Sequence, residues 1–180
     1  MKSSVVLWVT VILVVVVSSA HSQTQPAKPT GADSRIDEEG RRKANHVTSR
    51  ISRVISPQVA EPPPGTWSNC LVVNGVAYIS GMVARGSDGK VIPGDEYDQA
   101  KLSFAKIRSI VEAAGGKMAD VVKITIFVTD ITQREKVWQA RREVFAGDFP
   151  ASTLVQVAAL AEPSVKVEIE AIAHIGAGKR

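Results

Sequence analysis

The sequence contains a single cysteine, Cys70, in 180 residues. An intramolecular disulfide and a cluster of cysteine metal ligands are therefore excluded. The three histidines, His21, His46 and His174, are far apart and lack the close spacing common in zinc sites. Glycine-rich phosphate-binding motifs and the GxSxG motif are absent as well. The sequence thus predicts no metal and no organic cofactor, and Cys70 is interpreted as a small buried hydrophobic residue.

The excess of positive over negative charge is also small. The formal net charge is +4, and the basic residues form one short run, Arg41-Arg42-Lys43, which we interpret as a solvated patch. Nucleic acid is therefore not an expected partner. Hydrophobic residues make up 44% of the chain, which suffices for the core of one domain with additional segments.

The N-terminal 22 residues have the pattern of a secretory signal peptide. Lys2 precedes an apolar run at 5–17, and the small residues at 20–22 resemble a cleavage site. This run is shorter than the ~20 residues of a membrane span. The expected location is therefore periplasmic or secreted, and a membrane is a partner only if the segment stays uncleaved. Residues 23–52 are polar, with proline and glycine, and predict a flexible linker.

The first half of the remaining chain predicts a hairpin and a helix. Residues 71–73 and 76–79 flank Asn74-Gly75, the dipeptide most typical of a two-residue hairpin turn, and these strands are expected to end at Ser80-Gly81. Apolar residues at helical spacing follow Asp95, whose negative charge suits a helix N-terminus. The pair Gly115-Gly116 predicts the end of that helix.

The second half predicts a strand, a helix and two further strands. The stretch VVKITIFV at 121–128 is β-branched and typical of a strand. Thr132 and Glu135 have the spacing of a capping box that begins a second helix. Strands are then expected within 149–160 and at 165–174, where apolar and polar residues alternate.

The predicted order ββ-α-β-α-ββ indicates an α+β two-layer sandwich. Its mixed six-stranded sheet would carry both helices on one face. The other face mixes lysine, glutamate, threonine and glutamine with apolar residues. Such a face suits contact with further copies of the chain in an assembly.

Residues 53–176 resemble the YjgF/Rid family, the reactive intermediate deaminases, which are also called L-PSP endoribonuclease-like proteins. The resemblance occurs in VNGVAYISG at 73–81, VIPGD at 91–95, IVEAAGGKMADVVKITIFVTD at 110–130, FPAS at 149–152 and VKVEIEAIA at 165–173. These stretches follow one another in the expected order and cover the whole RidA-like domain.

The resemblance implies a chorismate mutase-like fold and a homotrimer whose sheets face a central barrel. It also implies a small-molecule pocket in each cleft between neighbouring subunits. The best-studied family members hydrolyse 2-imino and 2-enamino acids to 2-keto acids and ammonia, without a metal or an organic cofactor. Some members are described as ribonucleases or translation inhibitors.

In active members an arginine that binds the substrate carboxylate follows the Pro-Ala of FPAS, and this chain has Ser152 there. A guanidinium offers a two-pronged donor, whereas a hydroxyl offers one neutral hydrogen bond. Hydrogen bonds to charged groups contribute ~1.5–3 kcal/mol each, so the loss weakens transition-state binding on the order of a hundredfold. Arg85, Arg134 and Arg141 are other guanidiniums, but no spacing directs any of them to the pocket.

Four other pocket positions depart from the family pattern. Trp67 replaces an aromatic hydroxyl, Met82 a glutamine, Trp138 an amide side chain, and Leu154 a cysteine. The two tryptophans suit stacking on a flat ligand, and equally suit plain packing at an interface.

Three pocket positions are retained. The equivalent of Glu168 lies close to the pocket water in active relatives; its alternative role is a salt bridge at the trimer centre with Lys123 or Lys166 of a neighbour. Ser80 is a pocket donor or an ordinary residue of a strand end. The candidate set is Glu168 as the catalytic residue and Trp67, Ser80, Gly81, Trp138, Ser152 and Leu154 as substrate-binding residues.

Three functions remain open. The first is an exported RidA-like trimer that binds small metabolites in its intersubunit clefts, with deaminase activity that is weak or altered in substrate. The second is a small-molecule-binding protein without catalysis. The third is a ribonuclease, which the mild net charge, the lack of a histidine pair and the expected export all disfavour.

Overall fold

The computed structural model describes residues 50–178. The predicted signal peptide and residues 23–49 of the predicted linker lie outside the described residues. Among residues 50–178, no helix is long and apolar enough to cross a membrane. The first strand begins at Ile51, so Ile51 and Ser52 pair with the sheet, and the folded domain begins two residues before the expected boundary.

The described residues form a mixed sheet of six strands and two α-helices. In chain order the elements are β1 (Ile51–Arg53), β2 (Cys70–Val73), β3 (Val76–Val83), α1 (Glu96–Ala113), β4 (Val121–Val128), α2 (Arg134–Val144), β5 (Ala151–Gln156) and β6 (Val167–His174). The strand order across the sheet is β1-β2-β3-β6-β4-β5, and only the β4–β5 pair is parallel among these strands. The predicted fold class is confirmed.

The parallel pair determines where α2 lies. Parallel neighbours need a connection that crosses over the sheet, and α2 provides the crossover from β4 to β5. The helix packs against α1, and the rings of Phe104 and Phe145 meet edge to face with centroids 5.8 Å apart. This crossover sets α2 beside β5, the edge strand that carries Ser152.

Two local sequence signals are confirmed. Asn74 and Gly75 have φ angles of 52° and 79°, as the tight hairpin turn between β2 and β3 requires. Asp95 caps α1 through its side chain, which accepts hydrogen bonds from the backbone of Tyr97 and Asp98 at 2.9 and 3.2 Å. Asp98 completes a capping box by accepting from the Asp95 backbone N–H.

Two other local predictions are wrong. The strand β3 does not end at Ser80-Gly81 but continues to Val83 through an irregularity in its pairing. Thr132 does not cap the second helix, because its hydroxyl donates to Asp130 at 2.6 Å. Asp130 also accepts from the Thr132 backbone N–H and begins a short 3-10 turn, and α2 starts after it at Arg134.

The two faces of the sheet differ in burial. The helix-covered face contributes buried residues such as Ile124, Ile126, Val167 and Ile169 to one core with both helices. On the opposite face, Tyr78 is 50% exposed and borders a hollow of about 410 Å³. Lysine, threonine and glutamate side chains line this hollow with apolar ones, as the sequence predicts.

Candidate functional site

The first group of candidate residues lies where β3 meets β6. The pairing register shifts between Ile79 and Met82, so that Ser80 and Gly81 together oppose the single residue Glu170. This arrangement is a β-bulge, which often redirects side chains beside a functional site. The Ser80 backbone N–H donates to the carbonyl oxygen of Asn69 at 3.0 Å, which holds the bulge against the preceding loop.

Glu168 packs directly on the bulge. A Cβ atom at Gly81 would lie 2.7 Å from the Glu168 Cδ, so only glycine leaves room for this carboxyl group. Burial raises the pKa of Glu168, and the nearby Glu170 raises it further. Within residues 50–178, Glu168 makes no ion pair with Lys123 or Lys166; these lysines donate instead to Thr153 and to the carbonyl of Gly94.

Trp67 lies on the same side of the molecule as Gly81. Its side chain is 56% exposed, and with Gly81 and Met82 it lines a second hollow of about 570 Å³ next to α1. Lys106 also lines this hollow and donates to the carbonyl oxygen of Val83 at 3.0 Å. Burial lowers the pKa of Lys106. We call Trp67, Ser80, Gly81 and Glu168 the Glu168 cluster.

The second group of candidates lies on β5 and α2. The side chain of Ser152 accepts a hydrogen bond from Arg141 Nη1 at 3.1 Å. The Arg141 guanidinium lies 6.0 Å from the Trp138 ring centroid and 5.6 Å from that of Phe149. We call Trp138, Arg141, Phe149 and Ser152 the Ser152 cluster. Leu154 lies two residues along β5 on the same face and is half-buried against the core.

The sequence offers Arg85, Arg134 and Arg141 as replacement guanidiniums without a spacing that selects one, and the structure brings Arg141 to Ser152. The other two arginines do stay away from Ser152. Arg85 pairs with Glu162. Arg134 lies 5.7 Å from the Trp138 ring centroid and donates to the carbonyl oxygen of Ile131. A sequence signal for Arg141 exists, because Arg134, Trp138 and Arg141 have the i, i+4, i+7 spacing of one helix face. That spacing predicts that the three side chains share one face of α2, but it does not predict that this face meets β5.

A single chain does not bring the two clusters together. The strand β4 separates β5, which carries Ser152, from β6, which carries Glu168, and so sets the two strands about 10 Å apart. Ser152 aligns with Ile124 and through it with Ala171, three residues further along β6 than Glu168. Ile124 and Ala171 are buried beneath the helices. Along β6 buried and less buried residues alternate, and Glu168 belongs to the less buried ones, which point to the other face. Ser152 and Glu168 therefore lie on opposite faces of the sheet.

The remaining chemistry-bearing residues do not add to either cluster. Cys70 is fully buried, and its burial raises the thiol pKa to about 11, which keeps it protonated. This confirms its interpretation as a buried apolar residue. No group of three or more His, Cys, Asp or Glu side chains in the described part of the chain could hold a metal ion.

Comparison with known sequences shows the family. The sequence model described as Endoribonuclease L-PSP matches residues 58–175. A protein of Dermatophagoides farinae named 2-iminobutanoate/2-iminopropanoate deaminase is 34% identical over 124 residues, which cover 68% of this chain and 96% of the relative. A human protein of the same name is 35% identical over 131 residues, covering 72% and 95% of the two chains. The chain belongs to the YjgF/Rid family.

Solved structures agree with this assignment. RidA from an Antarctic Psychrobacter superposes with a TM-score of 0.63 at 33% identity, covering 69% of this chain and all of the RidA chain (100%). The YjgF protein of E. coli superposes with a TM-score of 0.62 at 35% identity, covering 68% and 98%. The resemblance found in the sequence motifs is thus confirmed at the level of family and fold.

Proposed function

We propose that this chain is a Rid-type deaminase that hydrolyses 2-imino or 2-enamino acids in clefts between its copies. The observation that carries the proposal is Glu168, whose half-buried carboxyl group rests on Gly81 with no hydrogen bond from any residue in 50–178. A carboxyl group in that state has its oxygens available for water. The names of the mite and human relatives support the substrate class.

The chemistry follows from the properties of Glu168. Its carboxylate accepts a proton from water as the water oxygen bonds to the imine carbon, and the C=N electron pair moves to nitrogen. The same carboxyl group passes that proton to the nitrogen. It then accepts the hydroxyl proton as the C=O bond forms and delivers it to the departing amine as the C–N bond breaks, so that the 2-keto acid and ammonia are released. A raised pKa suits both steps, because general acid–base catalysis is most effective when the pKa approaches the working pH.

A trimer with intersubunit clefts is part of the proposal. It is supported by the separation of the two clusters, since a second copy is needed to bring a Ser152 cluster to a Glu168 cluster. The uncovered sheet face supports it too, because Leu71, Tyr78 and Val155 are exposed there. Sedimentation velocity tests the assembly: we expect the mass of three chains, and a stable monomer that retains activity would contradict it.

The activity is tested with freshly generated 2-iminopropanoate. We expect release of ammonia and pyruvate, and a fall of about 10²- to 10⁴-fold for Glu168→Gln, the range typical of a lost general acid–base group. Glu170→Gln is the matched control, since it removes a neighbouring carboxylate that does not rest on Gly81. Without a guanidinium at position 152, we expect a substrate range that differs from that of the relatives. Equal rates for both variants would refute the role of Glu168.

Binding without catalysis is the second candidate, and the aromatic surface favours it. Trp67 is 56% and Phe149 46% exposed, which leaves both clusters with flat apolar walls. A thermal-shift screen separates the candidates. Stabilisation by neutral aromatic compounds but not by keto acids, together with no ammonia release, would support a binding protein over a deaminase.

Export is a further part of the proposal. It rests on the sequence pattern of residues 1–22, which lie outside the described residues. Mass spectrometry of the protein recovered from the native host tests it, because cleavage should leave Gln23 as the first residue. An intact N-terminus in a membrane fraction would indicate an anchor instead, and an intact N-terminus in the soluble fraction would contradict export.

A further inference from the structure

Arg141 forms no ion pair with an acidic side chain within residues 50–178. Its Nη1 donates to Ser152, while its Nε is buried and has no hydrogen-bond partner within residues 50–178. A buried donor without a partner costs about 1–3 kcal/mol. Three other arginines of the described chain form ion pairs, namely Arg53 with Glu61, Arg85 with Glu162 and Arg142 with Glu135.

The surroundings of Arg141 favour an anion. Burial lowers the pKa of Arg141, and the positive charge of Arg142 lowers it further. The guanidinium is thus held at a desolvation cost that a bound negative charge would offset. The rings of Trp138 and Phe149 shield it from water on two sides. Glu135, the acid that acts on it at longer range, is already paired with Arg142.

The location of Arg141 connects it to the substrate. Its side chain reaches across from α2 to Ser152, the position where the family resemblance leads one to expect a carboxylate-binding arginine. The strand β5 therefore lacks the guanidinium, but the helix α2 delivers one to the same place. The distance between Arg141 Nη1 and Ser152 Oγ, 3.1 Å, shows that the two side chains share one site.

We propose that Arg141 and Ser152 together bind the carboxylate of the substrate, with the guanidinium supplied by α2 instead of β5. The two terminal nitrogens of Arg141, one of which reaches Ser152, form the two-pronged donor that a carboxylate accepts. Ser152 accepts from Arg141 and still has its own hydroxyl proton to donate, since a hydroxyl can do both. The identification of the bound acid as a 2-imino or 2-keto acid rests on the proposed function.

The test measures carboxylate binding separately from catalysis. Titration calorimetry with 2-ketobutanoate measures the affinity for the carboxylate. The uncharged analogue 2-ketobutanamide measures the affinity without it. Loss of hydrogen bonds to a charged group predicts a rise in the Kd of 2-ketobutanoate of roughly 10- to 150-fold for Arg141→Gln. Arg142→Gln is the matched control, because it removes the adjacent guanidinium that faces solvent and pairs with Glu135; we expect less than about a threefold change.

Two further variants separate binding from folding. Arg141→Lys keeps the charge but loses the fork, and should give an intermediate Kd. The double variant Arg141→Gln with Ser152→Arg returns a guanidinium to the strand, and should recover most of the 2-ketobutanoate binding. A purely structural role for Arg141 would not be rescued in this way. The Kd of 2-ketobutanamide should not change in any of these variants.

The outcomes distinguish this inference from the proposed function. Ammonia release by the unmodified protein, with equal 2-ketobutanoate binding by Arg141→Gln and Arg142→Gln, would overturn the inference and leave the deaminase standing. Binding that depends on Arg141 without any ammonia release would support the site and overturn the deaminase. Failure of the unmodified protein to bind 2-ketobutanoate would overturn the inference outright.

Discussion

Gln99 connects α1 to the segment that leads into β6, and its removal should destabilise both the fold and the Glu168 cluster. The side chain is 1% exposed. Its Nε2 donates to the carbonyl oxygen of Ser164, and its Oε1 accepts from the backbone N–H of Lys166, each at 2.8 Å. Lys166 is two residues before Glu168. The Gln99 amide therefore determines how the chain enters the strand that carries the proposed catalytic group.

The magnitude follows from what Gln99→Ala leaves behind. Two hydrogen bonds are lost at about 1 kcal/mol each, and the removed methylene contributes about 0.8 kcal/mol of burial. Ser164 is exposed, so water can replace the partner of its carbonyl, which limits that part of the loss. We expect the free energy of unfolding to fall by about 3 kcal/mol, a large share of the 5–15 kcal/mol typical of a domain.

The assay is urea unfolding of the assembled protein at fixed concentration, followed by tryptophan fluorescence. Gln139→Ala is the matched control, because it makes the same change in a helix at an exposed position of α2. The control should stay within about 0.5 kcal/mol of the unmodified protein. Deaminase kcat should fall for Gln99→Ala and not for the control. If Gln99→Ala loses no more than about 1 kcal/mol beyond the control, the amide does not have the structural role assigned here.

Two further predictions concern the Glu168 cluster. The pKa of Glu168 in the folded protein is raised above its ordinary value of 4.5, so the folded state binds this proton more tightly than the unfolded state does. The resulting contribution to the free energy of unfolding is fully present below pH 4.5 and is lost as the pH rises through the folded-state pKa. Glu168→Gln should therefore be more stable than the unmodified protein at pH 8 and equal to it near pH 3.5, as thermal melts across that range would show; a constant difference would contradict this. Gly81→Ala should displace the Glu168 carboxyl group, which is the flexible end of its side chain, and so reduce kcat by about 100-fold with melting nearly unchanged. Melting that drops sharply would show that the backbone, not the carboxyl group, had moved.

Local patterns predicted the fold well wherever neighbours in sequence decide the structure. The turn at Asn74-Gly75 needs only its own two residues, and the Asp95 cap needs only the next three. The capping box at Thr132 failed because Asp130, two residues earlier, competes for the same hydroxyl and backbone N–H. Short-range rules thus hold until a second acceptor lies within reach of the same donors.

The candidate site was harder to predict, because strand order and not spacing determines it. The motifs identified Ser152 and Glu168, but only the insertion of β4 between their strands shows that one chain separates them. Likewise, the spacing of Arg134, Trp138 and Arg141 defines a helix face, and the crossover then determines which strand that face meets. Strand order and the contact between helix and strand are properties of the tertiary structure, and the spacing of residues along the chain does not predict them.

Placing the carboxylate-binding group on α2 has a consequence for specificity. A guanidinium on β5 would be held by the sheet, independent of the helix. Arg141 instead shares α2 with Trp138, so that charge and aromatic wall are fixed to one rigid element and keep their spacing of 6.0 Å. A substrate must then satisfy both at once, with a carboxylate for the guanidinium and an apolar group for the ring. The proposed site therefore favours acids with an apolar side chain over the smallest 2-imino acids, since only the former would pack an apolar group on the Trp138 ring.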